Sequence, residues 1–388
     1  MRQVAIVGAA MTKFGELWDR SLRDIGLESG MLALMDAKLE TEDVEALFLG
    51  NMSAGRFIQQ EHIGALIADH AGLADRNVPA TRVEAGGASG GLALRQGYLA
   101  VASGAHDIVM IGGAEKMTDV SDQDAEETMS FAADQEWEVF FGATLASLYA
   151  LMARRHMHEY GTTPEQLAQV AVKNHAHGSA NPKAQFRNRL KVEQVLRAPR
   201  VAEPLGVFDC SPISDGGAAV VLTTLERARE LTDTPVLVTG SAQASDTLGL
   251  HDRWSITSQR ATQVAARGAL KQAGRTLDEV HVAEVNDGFT IGEVIALEDL
   301  GLVPPGEGGK AAEEGLTALG GKLPVNTSGG LKARGNPPGA TGIAQVVELY
   351  DQLRGRAEGR QVEGARVGLA HNVGGTGATV TVHVLEVA

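Results

Sequence analysis

Short apolar runs ending in glycine, each followed by an amphipathic stretch, recur at both ends of this chain and are interrupted only in the middle. "VAIVGAA" (Val4 to Ala10) leads through a polar turn into the helical spacing of Leu22 to Ala37. "ALFLGNM" repeats the pattern, and "HDIVMIGGAEKM" gives another buried strand ending in Gly112 and Gly113. After the middle segment the pattern returns as "VLVTGSAQA", "VHVAEVNDGF" and finally "ARVGLAHNVGGTGATVTVHVLEVA", which reads as two antiparallel strands around a glycine-rich turn. Such strand–helix units cannot bury their strands alone, so they specify an α/β protein with a mixed or parallel sheet covered by helices. Modules on both sides of an interruption imply a duplicated α/β core, although no residue-by-residue repeat links the halves.

The interruption spans about Met117 to Glu203. "TLASLYALMARRHMHEYG" reads as one helix and "TPEQLAQVAVKNHAHGSANP" as a second, with Thr163 its N-cap and Glu165 in its first turn. The expected division is residues 1–116 with 204–233 as one half, 117–203 as an inserted loop-rich domain, and 234–388 as the second half. Basic residues of the insert, among them Lys173, Lys183, Arg187 and Arg189, are candidates to face a polyanion, although taken singly each reads as solvated surface.

Composition closes off several classes. A length of 388 residues, 44% of them hydrophobic, supports a full core. A net charge of −15 argues against non-specific binding to nucleic acid or anionic membrane. The run from Val4 to Met11 is too short for a membrane span and lacks the basic leader of a signal peptide, so a cytoplasmic location is expected. A single cysteine, Cys210, excludes an internal disulfide or a cysteine-based metal cluster. His156/His158 and His175/His177 lie two apart on helices and point in different directions, so no metal is expected. No Gly-x-Gly-x-x-Gly opens a helix after the first strand, which argues against a dinucleotide site.

The segments "TKFGELWDRSLRDIGLESG", "GNMSAGRFIQQEHIGALIADHAGL", "GGAEKMTDVS", "DCSPISDGGAAVVL", "GKLPVNTSGGLKARG" and "AHNVGGTGATVTVH" resemble the thiolases, especially those of the archaeal and sterol-carrier-protein type. The resemblance runs nearly end to end. It implies two similar α/β halves in a five-layered α-β-α-β-α arrangement, homodimers or dimers of dimers, coenzyme A thioesters as substrates with no bound cofactor, and a loop domain that holds coenzyme A. Members of this type commonly work with a small OB-fold partner protein.

The chemistry-bearing positions depart from the family. "EAGGASG" stands where such thiolases carry Glu-x-Ala-Cys-Ala-Ser-Gly, so Gly87 occupies the place of the acyl-accepting cysteine. The Gly-His-Pro motif reads Gly335-Asn336-Pro337. The archaeal His-Asp-Cys-Phe motif reads Asn286-Asp287-Gly288-Phe289. The terminal His-Asn-x-Gly-Gly element survives as His371 to Gly375. Glycine offers no nucleophile and asparagine accepts no proton near neutral pH, so a covalent acyl-enzyme at the usual position is excluded. Ser89 and Cys210 are weak substitutes; the first reads as bonded to backbone at its helix start, the second as a small buried hydrophobe.

What remains is an oxyanion apparatus. The resemblance and the residue chemistry together assign the backbone N–H of Gly87 and the amides of Asn336 and Asn286 to a developing enolate oxygen. They assign His371 to proton transfer and Asp287 to orienting a water or base, or to capping a helix near Phe289. Substrate contacts are expected at Gly374, Gly375, Ser328, Gly329, Lys183 and Arg187. These parts suit retro-aldol or aldol-like chemistry on a coenzyme A thioester, in a pocket widened at Gly87 and Asn336. The competing expectation is a disarmed acetyltransferase homologue that binds coenzyme A as a scaffold subunit.

Overall fold

A computed structural model describes residues 1–388. Eleven strands form in chain order: β1 (Val4–Met11), β2 (Ala46–Gly50), β3 (Ala80–Val83), β4 (Ile108–Glu115), β5 (Arg200–Ala202), β6 (Leu205–Gly206), β7 (Gly216–Thr224), β8 (Val236–Ser245), β9 (Val282–Glu284), β10 (Val367–Gly374) and β11 (Thr379–Val387). Nine of them hydrogen-bond in the order β3-β2-β4-β7-β1-β8-β11-β10-β9; β5 and β6 form a separate small hairpin.

The strand order contains the duplication that the sequence does not show residue by residue. In the N-terminal set, β3, β2 and β4 run parallel, and β4, β7 and β1 alternate antiparallel. In the C-terminal set, β8, β11 and β10 alternate antiparallel, β10 runs parallel to β9, and Val325 makes a parallel bridge to Ala283. The two sets meet at β1 and β8 through only two residue pairs, Ala5 with Leu237 and Ile6 with Val236. This is one topology written twice.

Helices complete five layers. The helix Leu22–Ala37 covers β1 and β7 on one outer face, and the helix Arg260–Ala273 covers β8 and β11 on the other. Between the sheets lie the helices Ser89–Ser103 and Pro338–Leu353, which touch each other and strands of both sets. Their shared core is the largest apolar cluster and includes Leu94, Val101, Ile111, Val220, Ile343 and Leu349. The expectation of a mixed α/β sheet in this layered arrangement therefore holds.

Between β4 and β7 the chain makes mainly helices and loops, with only the small hairpin of β5 and β6. The helix Leu145–Tyr160 begins at a Thr144 cap and the helix Pro164–Ser179 at a Thr163 cap, whose side chain accepts from the Gln166 N–H. A shorter helix, Asp122–Ser130, starts at Ser121. The two longer helices pack on the helix Thr290–Asp299 through Tyr149, Leu167, Ile291 and Val294, and the shorter one packs on the helix Leu145–Tyr160. They form one wall of the cavity described next.

Candidate functional site

A cavity of about 430 Å³ opens between this helical wall, the N-terminal ends of the two central helices and the C-terminal ends of β9 and β10. Its volume is in the range of small-molecule sites. Gly87, Asn286, Asn336 and Gly375 line one end; Met117, Met129, Leu145, Tyr149, Phe289 and Val373 make most of the remainder apolar. Tyr149 and Phe289 stack with ring centroids 4.4 Å apart.

The Gly87 turn arises from its local bonding. Gly86 adopts φ +57°, a conformation open to glycine, and the helix Ser89–Ser103 starts just beyond. The Ser89 hydroxyl donates to the Gly86 carbonyl at 2.6 Å and accepts from the Ala85 N–H at 3.0 Å, the backbone role read from its sequence context. The side chain of Asn372 links strand β10 to this turn, accepting from the Gly91 N–H at 3.1 Å and donating to the Gly87 carbonyl at 3.0 Å. The N–H groups of Gly87 and Gly375 donate to no acceptor of the chain. The two turns lie against each other, since a Cβ on Gly86 would stand 3.4 Å from the Gly375 nitrogen.

The two asparagines add side-chain donors. Asn286 donates to the Val373 carbonyl at 3.1 Å, which leaves its second N–H free. Asn336 accepts from the Thr341 hydroxyl at 3.0 Å and donates to the Ser211 hydroxyl at 3.1 Å, so its amide orientation is fixed by contacts at both ends. Gly288 lies between them. A Cβ there would meet only ordinary contacts, the nearest being the Asn286 oxygen at 3.5 Å. At Gly87 the situation is reversed, because a Cβ would stand 2.7 Å from the Val373 carbonyl oxygen. The expected widening at Gly87 is therefore corrected: strand β10 fills that space, and the cavity is enlarged at Gly288.

Several expected site residues lie elsewhere. His371 is on the face of β10 that looks outward, fully buried, with Nε2 3.0 Å from the Thr262 hydroxyl on the outer helix. Burial pushes its imidazole down to about 3, so it stays neutral, and it does not line the cavity. Its assignment to proton transfer is withdrawn on that geometry. Asp287 neither caps the helix after Phe289 nor lines the cavity. It accepts from the Leu331 and Lys332 N–H groups at 2.6 and 3.3 Å and from Asn174 at 2.6 Å, and so caps the helix Gly330–Arg334. Burial, with Glu293 close by, lifts its carboxyl to about 6.

Ser328 is buried on Glu284, its hydroxyl donating at 2.6 Å, and Gly329 with φ +101° turns the chain into the helix Gly330–Arg334. Lys183 donates to the Met11 carbonyl at 2.7 Å, and Arg187 is exposed; neither lines the cavity. Gly374 presses on the Ala85 carbonyl and borders a smaller neighbouring pocket. Of the expected substrate contacts, only Gly375 reaches the main cavity.

Other residues line the cavity without having been expected there, among them Cys210, which the sequence reads as a small buried hydrophobe. Cys210 is half-buried and lines the cavity, with its S–H donating to the Gly206 carbonyl at 3.5 Å. Burial pushes the thiol up to about 12, as it does the Tyr149 hydroxyl. Asp122 and Glu126 present carboxylates from the helix Asp122–Ser130. Their spacing of four places both on one helix face, a signal present in the sequence but meaningful only once that face has a neighbour.

The family models decide the assignment. The model described as "Thiolase, N-terminal domain" matches residues 4–226, and "Thiolase C-terminal domain-like" matches residues 242–387. The chain belongs to the thiolase family. Among curated thiolase relatives, an acetyl-CoA acetyltransferase of Methanothermobacter thermautotrophicus is 58% identical over 386 residues, covering all of both chains. One of Methanocaldococcus jannaschii is 50% identical, covering 100% of this chain and 99% of its own. Among solved structures, an Ltp2-ChsH2(DUF35) aldolase superposes with TM-score 0.86 at 28% identity, covering 99% of this chain and 98% of that one. This member of the family thus has the family fold, while the residue at its helix-start turn is a glycine whose Cβ space is already occupied.

Proposed function

We propose that this thiolase-family protein cleaves or forms a carbon–carbon bond of a coenzyme A thioester through an enolate, by a retro-aldol or aldol-like reaction with no acyl-enzyme. One observation carries the reading: the residues of four donors, the N–H groups of Gly87 and Gly375 and the amides of Asn286 and Asn336, line one cavity that offers no activated nucleophile. The Cys210 thiol is held protonated by burial, and the Ser211 hydroxyl has no base beside it. Donors aimed at a developing oxyanion are worth about 3 kcal/mol each at the transition state. They stabilise a thioester enolate whether or not an acyl-enzyme has formed.

The substrate would be a β-hydroxyacyl thioester whose β-substituent fills the apolar end built by Met117, Met129, Leu145 and Phe289. The Ltp2-ChsH2(DUF35) aldolase supports this reading, and the second component in its name supports a small partner protein here, for which the sequence resemblance suggests an OB-fold. The 58% identical acetyltransferase supports a second reading, a disarmed homologue that binds coenzyme A as a subunit. A homodimer and a cytoplasmic setting accompany either; no helix is long and apolar enough to cross a membrane.

The test is a panel of β-hydroxyacyl-CoA thioesters with branched and cyclic β-substituents, assayed for the shortened acyl-CoA and the carbonyl product. Both should appear in equal amounts, with no change in the intact protein mass. Thiolysis of acetoacetyl-CoA at ordinary thiolase rates, or a stable acyl adduct on the protein, would overturn the reading. Binding of coenzyme A with no turnover of any thioester favours the disarmed subunit.

A further inference from the structure

With His371 facing away, the proposed reaction has oxyanion donors but no assigned base. The cavity itself narrows the choice. Its ionisable lining residues are four: Asp122, Glu126, Tyr149 and Cys210. The Tyr149 hydroxyl donates to the Gly375 carbonyl at 3.0 Å and the Cys210 thiol to the Gly206 carbonyl, and burial holds both protonated near neutral pH. The asparagines are acceptors too weak to take a proton. Only the two carboxylates remain, both on the helix Asp122–Ser130.

Geometry separates the two. Ala132, just past the end of the helix Asp122–Ser130, touches both donor turns: a Cβ on Gly86 would lie 3.3 Å from its Cβ, and one on Gly375 would lie 2.4 Å from its carbonyl. The end of the helix that meets the donors is thus its C-terminal one. At about 1.5 Å per residue, Glu126 begins about 9 Å from Ala132 along the axis, and Asp122 about 6 Å further, with a shorter side chain. Glu126 is also close enough to Cys210 for its charge to push that thiol up, and its carboxylate takes part in no ion pair or side-chain hydrogen bond. Glu126 is exposed, lines the cavity and has no partner that would hold its carboxylate away from a ligand there; Asp122 is likewise unpaired, so what separates the two is their distance from the donor turns.

We infer that Glu126 is the general base of this site, accepting the β-hydroxyl proton of a coenzyme A thioester bound at the Gly87 and Gly375 turns. The inference rests on the reading of the site as an enolate-forming one. The Glu126 carboxylate takes the hydroxyl proton, and the O–H pair becomes the second bond of the new carbonyl. The Cα–Cβ bond breaks, and its electron pair passes into the thioester as an enolate held by the four donors. The same proton, now on Glu126, returns to Cα, giving the shortened acyl-CoA and an aldehyde or ketone. No other reactant is needed, and the carboxylate is regenerated.

Two assays on purified Glu126→Gln test it: cleavage of whichever β-hydroxyacyl-CoA the wild type turns over, and exchange of the acetyl-CoA methyl protons in D2O, which needs a base but no β-substituent. A positioned general base contributes about 10²- to 10⁴-fold, so both rates should fall at least about 100-fold, with KM and melting temperature near wild type. Glu127→Gln removes the same charge from the same helix away from the cavity and should leave both rates unchanged. Wild-type-like rates in Glu126→Gln, or loss in Asp122→Asn alone, overturn the assignment. If the wild type exchanges methyl protons but cleaves no thioester, the aldol reading fails while the base assignment is still decided by the variant. If it does neither, both fall.

Discussion

At the residue scale, two glycines stand where the family resemblance places cysteines, and the structure treats them oppositely. Gly87 has lost its side-chain space to the Val373 carbonyl, whereas Gly288 borders open cavity between Asn286 and Asn336. The same substitution should therefore have different consequences. Gly87→Ala forces a Cβ to within 2.7 Å of a backbone oxygen at the end of β10, so strand or turn must move; it should cost about 1–3 kcal/mol and displace the Gly87 N–H. Gly288→Ala meets no contact shorter than 3.5 Å and should leave the melting temperature unchanged. It should still raise KM for thioesters with bulky β-substituents while sparing small ones. Thermal melts of both variants, with KM compared across the thioester panel, check the contrast. Equal destabilisation by the two would mean the Val373 carbonyl yields freely. That the nucleophile was missing could be read from the chain; that its space had closed could not, since Val373 lies 286 residues away and meets Gly87 only through the fold.

At the scale of elements, the alternation of strand β10 explains why one expected residue fell outside the site. Side chains of a strand point alternately to its two faces. Leu369 and Val373 belong to the outer apolar cluster and Ala370 to the central one, so His371 goes outward to Thr262 while Asn372 goes inward to the Gly87 turn. The motif identified both residues, but its phase relative to the sheet was not in the motif. Asp287 teaches a related lesson: a helix-capping carboxylate was legible, yet the helix it caps starts at Gly330 rather than beside it. The outward placement makes a measurable pH prediction. His371 titrates at about 3 when folded, against about 6.5 unfolded, so below pH 6.5 the unfolded chain takes up a proton that the folded one refuses. The wild type thus loses stability through this group as pH falls from 6.5 towards 3, by about 1.4 kcal/mol per pH unit. His371→Gln lacks the group, so its stability deficit relative to wild type should be about 2 kcal/mol smaller at pH 5 than at pH 8. Denaturation of both proteins at the two pH values measures it, and kcat of the folded variant at pH 8 should stay within a few-fold of wild type. A deficit independent of pH, or loss of turnover beyond about 100-fold, would return His371 to the site.

At the scale of the whole molecule, the two halves are joined less by their sheets than by the pair of helices between them. β1 and β8 share two residue pairs, whereas the helices Ser89–Ser103 and Pro338–Leu353 approach backbone to backbone. A Cβ on Gly90 would stand 2.8 Å from the Gly339 carbonyl and 3.1 Å from the Ile343 nitrogen; one on Gly342 would stand 2.3 Å from the Gly91 nitrogen. The glycines of "EAGGASGG" and "NPPGATG" therefore do more than shape the donor turn, because they let both helix starts, and with them Gly87 and Asn336, come together in one cavity. This role was not legible in the sequence, where the two segments lie about 250 residues apart and each reads only as a turn. At Gly90 the clash cannot be relieved by a rotating side chain, since its nearest neighbours are main-chain atoms of the opposite helix. Gly90→Ala should accordingly cost about 3 kcal/mol, lower the melting temperature by several degrees and weaken turnover by separating the donors. Gly30 provides the opposite case inside the same molecule: it lies within the outer helix Leu22–Ala37, and a Cβ there meets nothing within 4 Å. Gly30→Ala should stabilise by about 0.4–1 kcal/mol through the lower backbone freedom of the unfolded chain, with kcat unchanged. Melting curves and kcat of the two variants, measured side by side, decide whether the central helix pair or the sheet seam holds the halves in register; if Gly90→Ala melts with the wild type, the seam at β1 and β8 holds them.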